Sequence, residues 1–302
     1  MNNFMKSKAY LFVIATMTVL ASLIVNSYGE FPMESVLLTY DLILACGLLS
    51  QWSNPFANEA RWRIVSFQFV MTLLFVGIDT VVPVAQPDLV LNGIQLIPLI
   101  AKVSVGLFER PLVDSTEGLP LAELLILYIV LVSCQLSCRS EFLQADRRVL
   151  TILVLLSCCF AMLIFSAQNR ILRLVGYSLA GSLSVALIMP YSSSTATVAA
   201  YLCLQAIIAI YIRLLTRQAK IDLVEDIYQS PKVFWLFVLS LVVSNGVLNF
   251  QIWRLWLKSG TTLTAVFSIS FCSLVFLQAF LFLNRNFQAG KIVGQSFSHA
   301  EN

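Results

Sequence analysis

Apolar residues fall along this chain in long unbroken runs parted by short polar stretches, and run length sets the first expectation. A helix needs about 20 apolar residues to cross a hydrocarbon core of roughly 30 Å, whereas a spanning strand needs about half as many. Runs of helical length lie at about Leu11–Val25, Glu34–Gln51, Arg63–Val84, Leu89–Phe108 and Leu119–Leu136, then at Val149–Phe165, Ile171–Met189 and Ala196–Leu215. A final pair lies within Val233–Arg285, folded about the polar hinge Lys258, Ser259, Gly260, Thr261 and Thr262. The pattern predicts an all-α, polytopic membrane helical bundle of about ten transmembrane helices. The polar segment CRSEFLQADRR divides the runs, so residues 1–138 read as a first five-helix repeat, 139–148 as a divider and 149–302 as a second helical repeat.

Composition agrees. Of 302 residues, 59% are hydrophobic and 12% charged, and the mean hydropathy is +0.85. A water-soluble domain needs more polar surface than that, so the lipid bilayer is the expected partner. Inside lipid the backbone must satisfy its own hydrogen bonds, which favours helices. The net charge of +3 is spread through short loops, giving no reason to expect nucleic acid as a partner. Lys6, Lys8, Arg110, Arg170, Arg217, Lys232 and Lys291 fall on one side of a ten-helix map, and the positive-inside rule then places both termini in the cytosol.

Candidate chemistry is sparse. The seven cysteines lie mostly inside apolar runs, and an odd number of buried thiols reads as packing rather than a disulfide framework. Cys134 and Cys138 share a helical face, but the only histidine is His299 in the tail, so no metal site is expected. No nucleophile motif accompanies the carboxylates, so the chain is not expected to be an enzyme and no cofactor is expected. Asp41 and Asp79 lie within apolar runs, where a proton relay and a structural charge cluster are both open readings.

Several stretches resemble the drug/metabolite transporter superfamily, and in particular its nucleotide-sugar transporter family. Ser244, Asn245, Gly246 and Asn249, followed by Ser259, Gly260, Thr261, Thr262 and Thr264, are similar to that family's eighth helix and the turn into its ninth. Asn26 with Phe31 and Pro32 resembles the end of its first helix, and Pro98–Arg110 its fourth. Where GDP-mannose transporters carry Gly-Ala-Leu-Asn-Lys, this chain has Phe267, Ser268, Ile269, Ser270 and Phe271, so that substrate is not implied; Gln288–Asn302 stands where the family has its tenth helix, which is either absent or made up by an earlier run such as Ile171–Met189. The resemblance implies antiport of a nucleotide sugar against a nucleoside monophosphate by alternating access, in a Golgi or endoplasmic reticulum membrane, with a homodimer as one arrangement. A non-transporting membrane scaffold or assembly factor of the same fold is the alternative.

Under that resemblance the substrate-binding candidates are Lys102, Asn245, Asn249, Ser268, Ser270, Tyr40, Asn92 and Gln95. Lys102 is the sharpest, because an ammonium within a membrane helix is costly and can pair with a diphosphate, or else snorkel to the helix end. Asn245 and Asn249, at i,i+4, read either as substrate contacts or as interhelical hydrogen bonds. Ser268 and Ser270 can equally bond back to their own helix. Tyr40, Asn92 and Gln95 read either as lining the same cavity or as local packing.

Overall fold

The computed structural model describes residues 13–18, 20, 21, 24, 32–49, 55–81, 89–103, 108, 110–139, 164, 168, 170–187, 195–219 and 223. The Val233–Arg285 hairpin, with Asn245, Asn249, Ser268 and Ser270, lies outside the described residues. So does nearly all of the divider and of the run that follows it, and the ten-helix count and the repeat boundaries extend into those segments.

Seven helices with defined bounds follow one another among the described residues: α1 (Met33–Leu49), α2 (Pro55–Val81), α3 (Leu89–Lys102), α4 (Arg110–Gly118), α5 (Leu121–Ser137), α6 (Ile171–Leu187) and α7 (Thr195–Ala219). Pairing of the β type is limited there to one isolated bridge between Arg170 and Leu223. The chain is therefore helical where described, and α2 and α7 each contain an apolar stretch long enough to span a bilayer, Pro55–Thr80 and Val198–Gln218.

Local sequence explains the boundaries. Pro55 opens α2, where a missing N–H removes no intrahelical bond. Pro120 has extended backbone at φ −57° and ψ 153°, and a proline disfavours helical geometry in the residue before it, so α4 stops at Gly118 and α5 starts afresh at Leu121. Within α4 the hydroxyls of Ser115 and Thr116 donate to the carbonyls of Pro111 (2.6 Å) and Leu112 (2.8 Å), and the Thr116 hydroxyl also lies 3.3 Å from that of Tyr128 on α5.

Helix α2 has the most neighbours among the described helices. It packs on α1, α3 and α4, while α4 also meets α6, α1 meets α5, and α7 meets both α6 and α5. The core between them is aliphatic, with Leu37, Leu48, Ile64, Leu112, Leu124 and Ile171 all buried. Close approaches need glycine: a Cβ at Gly118 would lie 2.9 Å from the Ala60 Cβ of α2, and one at Gly176 of α6 would lie 3.0 Å from the Cα of Val113 in α4, so backbone rests on backbone at the second.

The starts of the helices differ from the sequence expectation in one consequential place. The apolar run predicts a helix from Arg63, but α2 begins at Pro55 and takes in Asn58, Glu59 and Arg61. Charges that read as a loop are helical because each has a partner: Arg63 pairs with Glu59 at i,i+4 and 2.5 Å, and Arg61 reaches across to α5. The stretch Arg110–Gly118, left between the runs that end at Phe108 and begin at Leu119, forms α4, with Asp114 and Glu117 likewise paired.

Candidate functional site: the buried polar face of α2

Asn58, Arg61, Gln68 and Thr72 recur along α2 at intervals of three, seven and four residues, which places them on one stripe of a helix with 3.6 residues per turn. Arg61, Gln68 and Thr72 are buried, whereas Phe56, Trp62, Val70, Leu73 and Leu74 on the remaining surface are exposed, Leu73 at 64%. Polar groups thus share the buried face of α2 with Ile64, Val65 and Phe75, while beyond Ser66 the outward surface is mainly apolar. That polarity suits a bilayer as solvent, since each buried polar group there must find its partner within the bundle.

Two ion pairs occupy the stripe. Near the start of α2, the Arg61 guanidinium donates to both carboxylate oxygens of Glu123 on α5, Nε to Oε2 at 2.6 Å and Nη2 to Oε1 at 2.5 Å, with 1% of either side chain exposed. This is the two-pronged geometry in which a guanidinium binds a carboxylate most strongly. A third donor, Nη1, meets the side-chain oxygen of Asn58 one turn earlier.

About two turns further along α2, Lys102 closes the second pair. Its ammonium, at the last residue of α3, donates to Asp41 of α1 and to the Thr72 hydroxyl at 2.6 Å, with the Gln68 carbonyl at 3.4 Å. Thr72 in turn donates to the other Asp41 oxygen at 2.6 Å, so one hydroxyl links both charges. The Gln68 amide donates to the Lys102 carbonyl at 2.8 Å, satisfying an acceptor that the end of α3 would otherwise leave open. A cation at a helix C-terminus also interacts favourably with the helix dipole. Three helices therefore converge on one ammonium.

The sequence-derived candidates distribute unevenly over this arrangement. Lys102 is central and fully buried, but its ammonium is engaged by Asp41 and Thr72. Tyr40, the neighbour of Asp41, is buried with its hydroxyl 2.8 Å from that of Ser137 on α5. Asn92 and Gln95 fall on α3, upstream of Lys102. Asp79 lies near the far end of α2 and is partly buried. Sequence reasoning missed Arg61, Glu123, Gln68 and Thr72; the signal was the three-and-four spacing of polar residues through an otherwise apolar run.

A second charged group gathers around α4. Asp114 receives Arg63 at 3.2 Å and lies within 4.0 Å of Arg110 and 3.9 Å of Arg173, while Glu117 pairs with Arg170 and, at 2.7 Å, with Arg173. Burial works to raise the Glu117 carboxyl, but the bonds from Arg173 and Arg170 outweigh it and hold its pKa below the usual carboxylate range. From the other side, the Arg213 guanidinium on α7 donates to the carbonyls of Thr116 and Leu119, capping the end of α4.

Chemically, the α2 stripe holds two carboxylates and two cations out of water. An Asp–Lys pair bridged by a hydroxyl can move a proton between its members without changing net charge, which a low-dielectric interior tolerates far better than creating a lone ion.

No protein-family model matches the chain, and no curated protein matches it. Among solved structures it is similar to a chain of respiratory complex I from Thermus thermophilus with bound aureothin, with a TM-score of 0.56 and 15% identity over 92% of this chain and 76% of that one. Likeness at that identity shows a shared helical fold and nothing of residue roles.

Proposed function

We propose that this chain is an integral membrane subunit of a larger membrane assembly, and that the buried charged stripe of α2 is its working part, passing protons between Asp41, Thr72 and Lys102 as the assembly turns over. The observation that carries this reading is the stripe itself. Four buried charges on α1, α2, α3 and α5 are costly to keep in a bilayer, and intramembrane ionisable residues usually mark ion or proton pathways. The shared fold with a chain of a respiratory complex supports the placement within an assembly.

Nucleotide-sugar antiport, implied by the motif resemblance, needs a cation available for a diphosphate. With the Lys102 ammonium engaged by Asp41 and Thr72, that reading has less support than proton handling.

The test is made on membranes from cells expressing the tagged full-length chain. Gentle solubilisation should recover it in a particle several times its own 33.6 kDa, with other subunits in fixed stoichiometry. Inverted vesicles given a respiratory electron donor should build a pH gradient that falls at least about tenfold in rate on Lys102→Met, with the particle still assembled. A chain that purifies alone and takes up nucleotide sugars in proteoliposomes overturns the proposal.

A further inference from the structure

Three sulfur atoms meet where α1 begins and α5 ends. Cys134 and Cys138 stand one turn apart on α5, both buried, with their Sγ atoms 4.0 Å apart. The Cys138 Sγ is also 3.9 Å from the Sδ of Met33, the first residue of α1. The two helices run antiparallel, as the contacts of Tyr40 with Ser137 and of Gly47 with Ile126 show, so the start of one is held against the end of the other. A disulfide needs sulfurs about 2.05 Å apart, so the two cysteines are separate thiols.

The donor set and its spacing select among metals. Among the described residues, no group of three or more His, Cys, Asp or Glu side chains is placed to hold an ion, so a four-ligand zinc site is not on offer. Two thiols and a thioether are soft donors, the kind that favours monovalent copper. An ion bonded to three sulfurs in one plane at about 2.3 Å spreads them about 4.0 Å apart, close to both separations observed.

We propose that Met33, Cys134 and Cys138 form a three-sulfur site for Cu(I). Cys138 caps the end of α5 and Met33 opens α1, so the site lies at helix ends rather than at mid-bundle. The proposal is independent of the assembly reading above.

The experiment uses the full chain purified in detergent with Cys46→Ser, Cys158→Ser, Cys159→Ser, Cys203→Ser and Cys272→Ser, which leaves only the α5 pair. Cu(I) is supplied anaerobically as its complex with a coloured chelator. The chain should withdraw one ion, and X-ray absorption should show three sulfur neighbours at about 2.3 Å. Met33→Leu, a swap that keeps side-chain volume and so preserves packing, should leave two sulfur neighbours and weaken binding by roughly tenfold or more. Cys138→Ser should abolish it. Van der Waals packing of the sulfurs without affinity for the ion would give the same separations in the structure. It would appear as no withdrawal of copper, or as withdrawal unchanged by Cys138→Ser or Met33→Leu, and any of these results overturns the proposal.

Discussion

Arg61 and Glu123 are 62 residues apart in sequence and meet through two parallel hydrogen bonds of 2.6 and 2.5 Å, at a point where neither side chain reaches solvent. Each is tolerable in an apolar bundle only because of the other. Removing one partner of a buried pair strands a charge and typically costs about 3–5 kcal/mol, whereas replacing both by apolar residues of similar volume is often neutral. Glu123→Ala should therefore lower the unfolding free energy in detergent by about 3–5 kcal/mol, and Arg61→Met with Glu123→Leu should recover most of it. A double variant as unstable as the single one would show that the pair holds something beyond its own charges.

The Asp41–Lys102 pair differs because, beside its direct contact, a neutral hydroxyl is bonded to both charges. Thr72→Val keeps the shape and removes the bridge, leaving one oxygen of Asp41 and one ammonium proton without that partner. A loss of about 1–3 kcal/mol is expected in thermal unfolding. Thr72→Ser retains the hydroxyl and should stay close to the wild type, which separates the hydrogen bond from the packing of the methyl group.

Acid should loosen the α4 cluster. The Glu117 carboxyl ordinarily titrates at 4.5, and in the folded chain its pKa is lower. A depressed carboxylate contributes stability that is fully present above its unfolded pKa and is lost as pH falls through the folded one. Unfolding temperature should accordingly drop as pH is taken below about 4.5, and Glu117→Gln should flatten that part of the profile while lowering stability at neutral pH.

Two glycines of α6 should respond oppositely to the same change. At Gly176 an added Cβ meets Val113 backbone at 3.0 Å, so Gly176→Ala should cost about 1–3 kcal/mol as the helices are pushed apart. At Gly181 nothing lies within 4 Å of the added atom, and alanine is the better helix former, so Gly181→Ala should gain about 0.5–1 kcal/mol. Thermal unfolding of the two variants side by side checks the α4–α6 contact directly.

Much of the helical layout was legible in the chain. The runs expected at Glu34–Gln51, Ile171–Met189 and Ala196–Leu215 correspond to α1, α6 and α7 within a few residues, because run length and the dielectric of lipid leave few alternatives to a helix. Lys102 stood out in the sequence for a related reason, since a lone charge in an apolar run is conspicuous, though its pairing with Asp41 was not legible. Arg61 and Glu123 were not, because each lies close to the end of a run, where a charge reads as solvated. Met33 was invisible as a sulfur ligand, since nothing local connects it to Cys138, 105 residues away.

The sequence by itself determined that the chain is apolar enough for lipid, that its long runs favour helices over strands, and that some charges lie within them. Those properties follow from local composition and from the backbone's need to satisfy its own hydrogen bonds. Which charge meets which was decided only by tertiary structure. Asp41 finds Lys102, and Arg61 finds Glu123, because α1 and α3 pack on α2 while α5 packs on α1, contacts between distant segments that no single run encodes.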